Sequence, residues 1–225
     1  MRMVSHEHSI FLKPFGAVYI DIAKVASSSI KATLADALGL EGADGNPHEI
    51  DFSRPPPADM DGARSYPDLY TFAFVRNPWD RLVSCYRDKI AGEVADFTGF
   101  AETGVAHCLA RYEAFTAKMS FEAFVHAVAS IPDEEADEHF RSQAAFVCNT
   151  SGDVALDFVG RYERLEQDFE RVVRQIGLPR EMRLPRLQAA PPRDYAGFYN
   201  AATRALVEQR YSRDVALFGY GFRSD

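Results

Sequence analysis

The chain has 225 residues, of which 47% are hydrophobic and 26% are charged, and its formal net charge at pH 7 is −8. This composition is that of an ordinary globular protein, and it excludes a disordered or fibrous chain. The acidic balance argues against a general affinity for nucleic acid or an anionic membrane, so any anion site must be local. The length suits one α/β domain, and we expect a single domain over residues 1–225.

The three cysteines, Cys85, Cys108 and Cys148, are widely spaced and follow no CxxC or Cys/His pattern. Their odd number and their spacing argue against a disulfide framework and against a zinc site. The amino terminus lacks the apolar region and cleavage site of a secretion signal, and no apolar run reaches 18 residues. We therefore expect a cytoplasmic protein with no membrane span and no bound metal.

The first strong element is the apolar run VYIDIA at 18–23, which is typical of a buried parallel strand. It leads through KVASSS into IKATLADALG, where Ile30, Leu34 and Leu38 recur every four residues and Gly39 closes the pattern. This segment predicts a strand, a loop and a helix.

A second strand, TFAFV at 71–75, runs directly into RNPWDRLVSCYRDKI. Asn77 is a good N-cap, Pro78 suits the first helical position, and Asp80 places negative charge where the helix dipole favours it. We expect the apolar stripe of this helix to pack on the sheet. The stripe consists of Trp79, Leu82, Val83, Tyr86 and Ile90.

Later segments continue the alternation of helices and strands. SFEAFVHAVA at 120–129 predicts a helix capped by Ser120, and DFVGRY at 157–162 predicts a strand. ERLEQDFERVVRQIGLP predicts a helix that ends at Gly177, and a further helical stretch covers roughly 195–212. The order of elements predicts an α/β fold with a central, mostly parallel sheet flanked by helices.

Both strand-to-helix junctions carry a cation at the edge where open α/β sheets bind ligands. Lys24 follows the first strand, and the three serines at 27–29 offer hydroxyls at the helix start, which suits a phosphate or sulfate. Arg76 leaves the second strand, and Ser84 lies two helical turns beyond Asn77, on the surface that Arg76 approaches. An ordinary solvated helix cap is the other interpretation of Lys24 and its serines.

The glycine pattern of nucleoside-triphosphate loops is missing from the first junction. GxxxxGK[ST] does not occur, and no glycine lies between Asp21 and Gly39. The sequence therefore disfavours a Walker-type kinase.

Together these motifs resemble the sulfotransferases that use 3′-phosphoadenosine-5′-phosphosulfate (PAPS), in particular the branch with the carbohydrate sulfotransferases and the heparan sulfate 2-O-sulfotransferase. IAKVASSSIK is similar to the 5′-phosphosulfate loop of that family, and FAFVRNPWDRLVSCYRDK is similar to its 3′-phosphate motif. DEHFRSQAAFV, DFVGRYERLEQDF, RDYAGFYN and YSRDVALFGYGF follow in the family's order, so the resemblance covers most of 18–222. Ala23 is a departure, because the family often has proline there.

The resemblance implies a P-loop-like three-layer sandwich and transfer of a sulfuryl group from PAPS to a hydroxyl or amine acceptor, with a carbohydrate as one candidate. It implies that Lys24 contacts the phosphosulfate and stabilises the bridging oxygen without a metal, and that Arg76 and Ser84 bind the 3′-phosphate. The groups implied for the 5′-phosphate are the backbone and hydroxyls of Val25, Ala26, Ser27, Ser28 and Ser29.

The reaction needs a general base, because an alcohol hydroxyl is a poor nucleophile until its proton is removed. His48 in NPHEIDF lies in a segment similar to the histidine-containing stretch of the 2-O-sulfotransferase branch, which uses a histidine there as its base. An imidazole also titrates near neutrality. The other interpretation is a turn residue beside Pro47, and the substitutes for the base are Glu49 and His139.

Two other functions stay open, a binding protein of the same fold without catalysis and a nucleotide-dependent kinase. The sequence identifies neither the acceptor nor the oligomeric state, although an acidic chain disfavours a long polyanionic glycan. For three further features we favour a structural role. These are packing for Trp79, a solvated helix face for the charge-rich stretch 161–193, and contact of His139 with the acidic run 133–138.

Overall fold

A computed structural model of the chain describes residues 8–40, 50, 52, 68–92, 99–102, 104–185 and 194–223. The chain divides into two compact units, each built from two segments. The first unit comprises Met1–Val75 and Gln143–Leu187, and the second comprises Arg76–Ser142 and Gln188–Asp225. A single domain over the whole chain stays a prediction.

The first unit contains a four-stranded sheet whose spatial order equals its order in sequence. Its strands are β1 (Ser9–Leu12), β2 (Ala17–Ile20), β3 (Tyr70–Val75) and β4 (Phe158–Arg161). β1 pairs with β2 in the antiparallel sense, whereas β2 with β3 and β3 with β4 are parallel. The helices of this unit are α1 (Ser27–Leu38), α4 (Ala144–Val147) and α5 (Leu165–Ile176). The predicted α/β class with a mostly parallel central sheet is confirmed.

Aromatic side chains fill the middle of the sheet. The rings of Tyr19 and Phe72 on neighbouring strands stack with centroids 5.3 Å apart, and Phe74 meets Phe158 edge to face. Gly160 of β4 lies directly against Phe74, because a Cβ at this position would sit 2.5 Å from a ring carbon. A glycine is therefore required where the two strands approach.

Both predicted glycine stops in this unit are confirmed. Gly39 ends α1 and Gly177 ends α5, each in the left-handed conformation and each donating its N–H to a carbonyl of the last helical turn. Non-glycine residues adopt this conformation at a cost, so glycine at these positions fixes where the helices end.

The second unit is helical among the residues described. Its helices are α2 (Pro78–Lys89), α3 (Phe121–Ser130), α6 (Ala201–Arg210) and α7 (Ser212–Phe218). Trp79, Leu82 and Val83 of α2 lie in one buried cluster with Phe124 of α3 and Val207 of α6. We predicted that this stripe of α2 packs on the sheet, and the structure instead gives it a helical core.

The cysteines and the helices bear on two further predictions. All three cysteines are thiols rather than disulfides, with Cys85 and Cys148 buried and Cys108 partly buried. No helix in the described part of the chain combines the length and apolar character needed to cross a membrane. The cytoplasmic location stays a prediction.

Candidate functional site

The loop between β2 and α1 is fixed at both sides of Lys24. Ile22 and Val25 are fully buried, whereas Lys24 is only partly buried. Lys24 and Ala26 have φ angles of 70° and 69°, in the left-handed region that residues with a Cβ rarely adopt. Each such conformation costs on the order of 1–3 kcal/mol, and such residues cluster at ligand-binding loops. The fold therefore maintains a strained backbone around the predicted lysine.

The first turn of α1 begins at the predicted serines. Ala26 is the N-cap, and its methyl group cannot accept a hydrogen bond from the first turn. Ser27, Ser28 and Ser29 form that turn, and all three are buried. The amino end of a helix carries partial positive charge, so this turn is a favourable position for an anion.

A partly buried carboxylate joins the end of β2 to α1. Asp21 Oδ1 accepts a hydrogen bond from Ser27 Oγ at 2.5 Å, and Asp21 Oδ2 lies 3.0 Å from Lys31 Nζ. Burial alone would raise the pKa of Asp21, but the charge of Lys31 and the Ser27 hydrogen bond outweigh it, and the pKa is lowered. Asp21 is therefore ionised and holds both sides of the Lys24 loop.

The sequence reasoning missed this network. In the sequence, Asp21 is the one charged residue in the apolar run at 18–23, and Lys31 lies ten residues further on. A lone carboxylate at the end of a buried apolar run was the available signal, because such a group is rarely buried without a partner.

The second junction, between β3 and α2, is as the sequence predicted at the helix start. Asn77 Oδ1 accepts from the backbone N–H of Trp79 at 3.1 Å, and Asn77 Nδ2 donates to the Gly221 carbonyl at 2.9 Å. Arg76 donates from Nε to Asp80 Oδ2 at 2.8 Å, and its side chain is 13% exposed. Asp80, which the sequence predicts to favour the helix dipole, thus also orients Arg76.

Ser84 lies in the second half of α2 and is partly buried. Arg81 on the same helix has a structural role, because its guanidinium donates hydrogen bonds to the carbonyls of Arg141 and Glu138 at 2.7 Å each. The Lys24 loop belongs to the first unit, whereas Arg76 and Ser84 belong to the second. The roles of all these residues in binding PAPS stay predictions.

The three candidates for the general base differ in what the structure describes. His48 and Glu49 lie outside the described residues. His139 is described, and its Nδ1 lies 2.6 Å from Asp137 Oδ1. The predicted contact of His139 with the acidic run is confirmed, but the side chain is only 14% exposed rather than solvated.

Packing of Trp79 is confirmed, and a solvated face is confirmed for the described part of α5, whereas 186–193 of the charge-rich stretch lie outside the described residues. Trp79 is buried in the helical core, and its indole N–H donates to the Arg204 carbonyl at 3.1 Å. On α5, Arg174 lies 3.7 Å from Glu170 four residues earlier, and both side chains are more than half exposed, as expected for a solvated face.

Comparison with known proteins identifies the sulfotransferase family, whose model matches residues 7–221. Carbohydrate sulfotransferase 14 of Homo sapiens is 31% identical over 164 residues, which cover 67% of this chain and 42% of the relative. The Mus musculus protein of the same name is 30% identical with the same coverage. Carbohydrate sulfotransferase 11 of Danio rerio is 25% identical, over 97% of this chain and 68% of the relative.

This chain thus spans less than half the length of the first two relatives. No solved structure matches it significantly.

Proposed function

This chain belongs to the sulfotransferase family, and on that premise we propose that it transfers a sulfuryl group from PAPS to a hydroxyl of a carbohydrate. The loop around Lys24 carries the proposal, because a cation in a strained loop precedes an anion-favouring helix start. The relatives are named carbohydrate sulfotransferases, which supports a carbohydrate acceptor. An amine or a non-carbohydrate hydroxyl is the alternative acceptor.

The 5′-phosphosulfate is assigned to the first junction. Lys24 would supply charge, and the backbone from Val25 to Ser29 with the hydroxyls of Ser28 and Ser29 would supply neutral donors. The Ser27 hydroxyl already donates to Asp21 and would contribute its backbone N–H. Asp21 lies at the same junction, but Lys31 balances its charge at 3.0 Å, so it presents little net repulsion to a phosphate. The first junction therefore suits a dianionic group.

The 3′-phosphate is assigned to Arg76 and Ser84. Asp80 engages Nε of Arg76 and so restricts the rotation of the guanidinium. A guanidinium carries two further nitrogens with the geometry to bind phosphate oxygens. Ser84 would add a hydroxyl donor.

The reaction is an in-line displacement at sulfur. The acceptor oxygen forms the new S–O bond while the bond from sulfur to the bridging oxygen of PAPS breaks. Adenosine 3′,5′-bisphosphate leaves with the electron pair of that bond, and the Lys24 ammonium stabilises the charge on the bridging oxygen. The acceptor proton passes to the general base, for which we propose His48.

Transfer of labelled sulfate from PAPS tests the activity directly. The purified chain is incubated with labelled PAPS and a panel of neutral and acidic oligosaccharides, and we expect a labelled sugar and one bisphosphate per sulfate transferred. Bisphosphate release without any labelled acceptor, or no release at all, would contradict the proposal.

Calorimetry separates the two other candidate functions. The proposed enzyme binds adenosine 3′,5′-bisphosphate without magnesium. Such binding with no turnover on any acceptor would indicate a binding protein of the same fold. Tight ATP binding that requires magnesium, with no affinity for the bisphosphate, would indicate a kinase.

The assignment of the base predicts the effect of His48→Ala. We expect turnover to fall roughly 10²-fold or more while PAPS affinity stays nearly unchanged, because a base acts on the acceptor proton. Rates across pH 5–9 provide the measurement, with Glu49→Gln and His139→Ala as parallel variants. Full turnover with the wild-type pH profile in His48→Ala would move the role to Glu49 or His139.

A further inference from the structure

We propose that Cys108, Asp137 and His139 form a binding site for a divalent metal ion of the zinc type. The Cys108 sulfur, a carboxylate oxygen of Asp137 and a ring nitrogen of His139 all lie within 4.8 Å of one another. Thiolate, imidazole and carboxylate are the ligands that zinc takes in proteins. All three residues belong to the second unit, and the proposal does not depend on sulfuryl transfer.

The backbone on both sides of each ligand is anchored in the helical core. Val105 and Leu109 are buried around Cys108, and Ala136 and Phe140 are buried around the other two ligands. Because these neighbours are buried, the ligand side chains project from two anchored segments, 105–109 and 136–140. A metal site requires ligands on such a well-anchored backbone.

Two contacts join the segments directly. Tyr112 donates from its hydroxyl to the Glu135 carbonyl at 2.6 Å, and its ring packs edge to face on Phe140 with centroids 5.5 Å apart. A further contact steadies the second segment, where the Arg141 guanidinium donates to the Ala136 carbonyl at 3.0 and 2.6 Å. The separation of the ligands is thus set by packing rather than by their attraction to one another.

The distances require only a small adjustment to hold an ion. Ligand bonds of roughly 2.0–2.3 Å in a tetrahedral site place ligand atoms about 3.3–3.6 Å apart. Nδ1 of His139 and Oδ1 of Asp137 are now 2.6 Å apart, within hydrogen-bond distance, so they must separate by about 0.7 Å to bind one ion together. Side chains 12–14% exposed can make this movement without displacing the core.

The charges of the cluster also favour a cation. A Cys108 thiolate and the Asp137 carboxylate supply two negative charges, and a neutral His139 supplies none. Arg111 lies 3.7 Å from Oδ2 of Asp137, but its side chain is 63% exposed, and its guanidinium also donates to the Tyr112 hydroxyl. Arg111 therefore contacts Oδ2 of the Asp137 carboxylate, whereas Oδ1 faces His139. With three protein ligands, the fourth position of the ion is left for water.

Zinc and cobalt binding to the untagged full chain tests the site. The chain is stripped with a chelator, zinc affinity is measured by competition with a chromophoric chelator, and cobalt is added as a spectroscopic probe. We expect one ion per chain and a thiolate-to-cobalt charge-transfer band. Cys108→Ser and His139→Ala should each weaken zinc binding at least tenfold, whereas Cys148→Ser and His126→Ala should leave it unchanged.

The outcomes are exclusive. The proposal is overturned if the wild-type chain binds no ion, or if either Cys108→Ser or His139→Ala binds zinc within tenfold of the wild type. Should these variants fail to fold by circular dichroism, the cobalt spectrum of the wild-type chain decides. Bound cobalt without a thiolate band would then exclude the cluster.

Discussion

At the scale of single residues, the most informative position is Lys24. Its left-handed backbone places a partly buried ammonium group between two fully buried neighbours, Ile22 and Val25. Because buried residues anchor the loop on both sides of Lys24, the fold sets the path of its backbone. This is the arrangement expected of a group that acts through electrostatics.

Lys24→Ala should lower turnover by about 10²-fold or more, because one preorganised charge at the leaving oxygen is lost. The fold should persist, since alanine keeps the Cβ and the loop remains anchored by its buried neighbours. Steady-state rates and thermal melting measure the two effects, with the exposed Lys13→Ala as the control. Near-normal turnover in Lys24→Ala would refute the assignment.

Arg76→Ala should weaken PAPS much more than it weakens adenosine 5′-phosphosulfate, which lacks the 3′-phosphate. A charge-assisted hydrogen bond contributes about 1.5–3 kcal/mol, so the expected difference is roughly 10- to 100-fold. Calorimetry with both nucleotides provides the measurement, and the exposed Arg174→Ala is the control. Equal weakening of both nucleotides would indicate a change in the fold instead.

At the scale of elements, the unit of function at the first junction is β2, the loop and α1 together. Asp21 follows the strand, Ser27 and Lys31 belong to the helix, and the carboxylate bonds to both. The loop with Lys24 lies between these anchors in sequence. Because the Asp21 carboxylate joins the end of the strand to the helix on either side of the loop, Asp21 and Lys31 should position the loop without touching the ligand.

Asp21→Asn tests this positioning role. Asparagine keeps the shape but removes the negative charge that lies 3.0 Å from the buried Lys31 ammonium, so we expect a loss of about 2–4 kcal/mol in the free energy of unfolding. The affinity for adenosine 3′,5′-bisphosphate should fall roughly tenfold, because part of the binding free energy is then spent on ordering the loop. A tenfold loss corresponds to about 1.4 kcal/mol.

Urea unfolding and calorimetry measure both effects, and Asp36→Asn on the exposed face of α1 is the matched control. Removing both charges in Asp21→Asn/Lys31→Met should recover much of the stability. If the single variant behaves like Asp36→Asn, the network is not a positioning device.

At the scale of the whole molecule, we expect stability at low pH to depend on partly buried, ionised carboxylates such as Asp133. Asp133 accepts hydrogen bonds from the backbone and hydroxyl of Ser142 and pairs with Arg210 at 2.8 Å, so it joins two distant parts of the second unit. Burial alone would raise the pKa of Asp133, but the Ser142 hydrogen bonds and the Arg210 charge lower it below its usual value.

The sign of the pH dependence follows from that lowered pKa. The stabilisation is fully present above the unfolded pKa of about 4 and is lost as pH falls through the lower folded pKa. Asp133→Asn should therefore be less stable by roughly 1–3 kcal/mol at pH 7, and should lose less stability than the wild type between pH 5 and 3. Urea unfolding across this range, with the exposed Asp153→Asn as control, gives the comparison. Parallel pH curves for the wild type and Asp133→Asn would contradict it.

The sequence by itself determined where most helices and strands lie. Asn77 begins α2, and Gly39 and Gly177 end α1 and α5, as predicted. These features are local, because a cap or a left-handed glycine depends on residues within one turn. The four-residue β1 was missed, since so short a strand at an edge has too few residues to show a period.

The tertiary structure alone decided which distant side chains meet. Cysteine spacing argued against a zinc site, yet packing brings Cys108 to Asp137 and His139, about thirty residues along the chain. The tertiary structure also decided that the apolar stripe of α2 packs in a helical core rather than on the sheet. The spacing of apolar residues in the sequence shows that one face of a helix is buried, but not which element covers it. Partners separated in sequence depend on the path of the whole chain, and that path is fixed only when the elements pack.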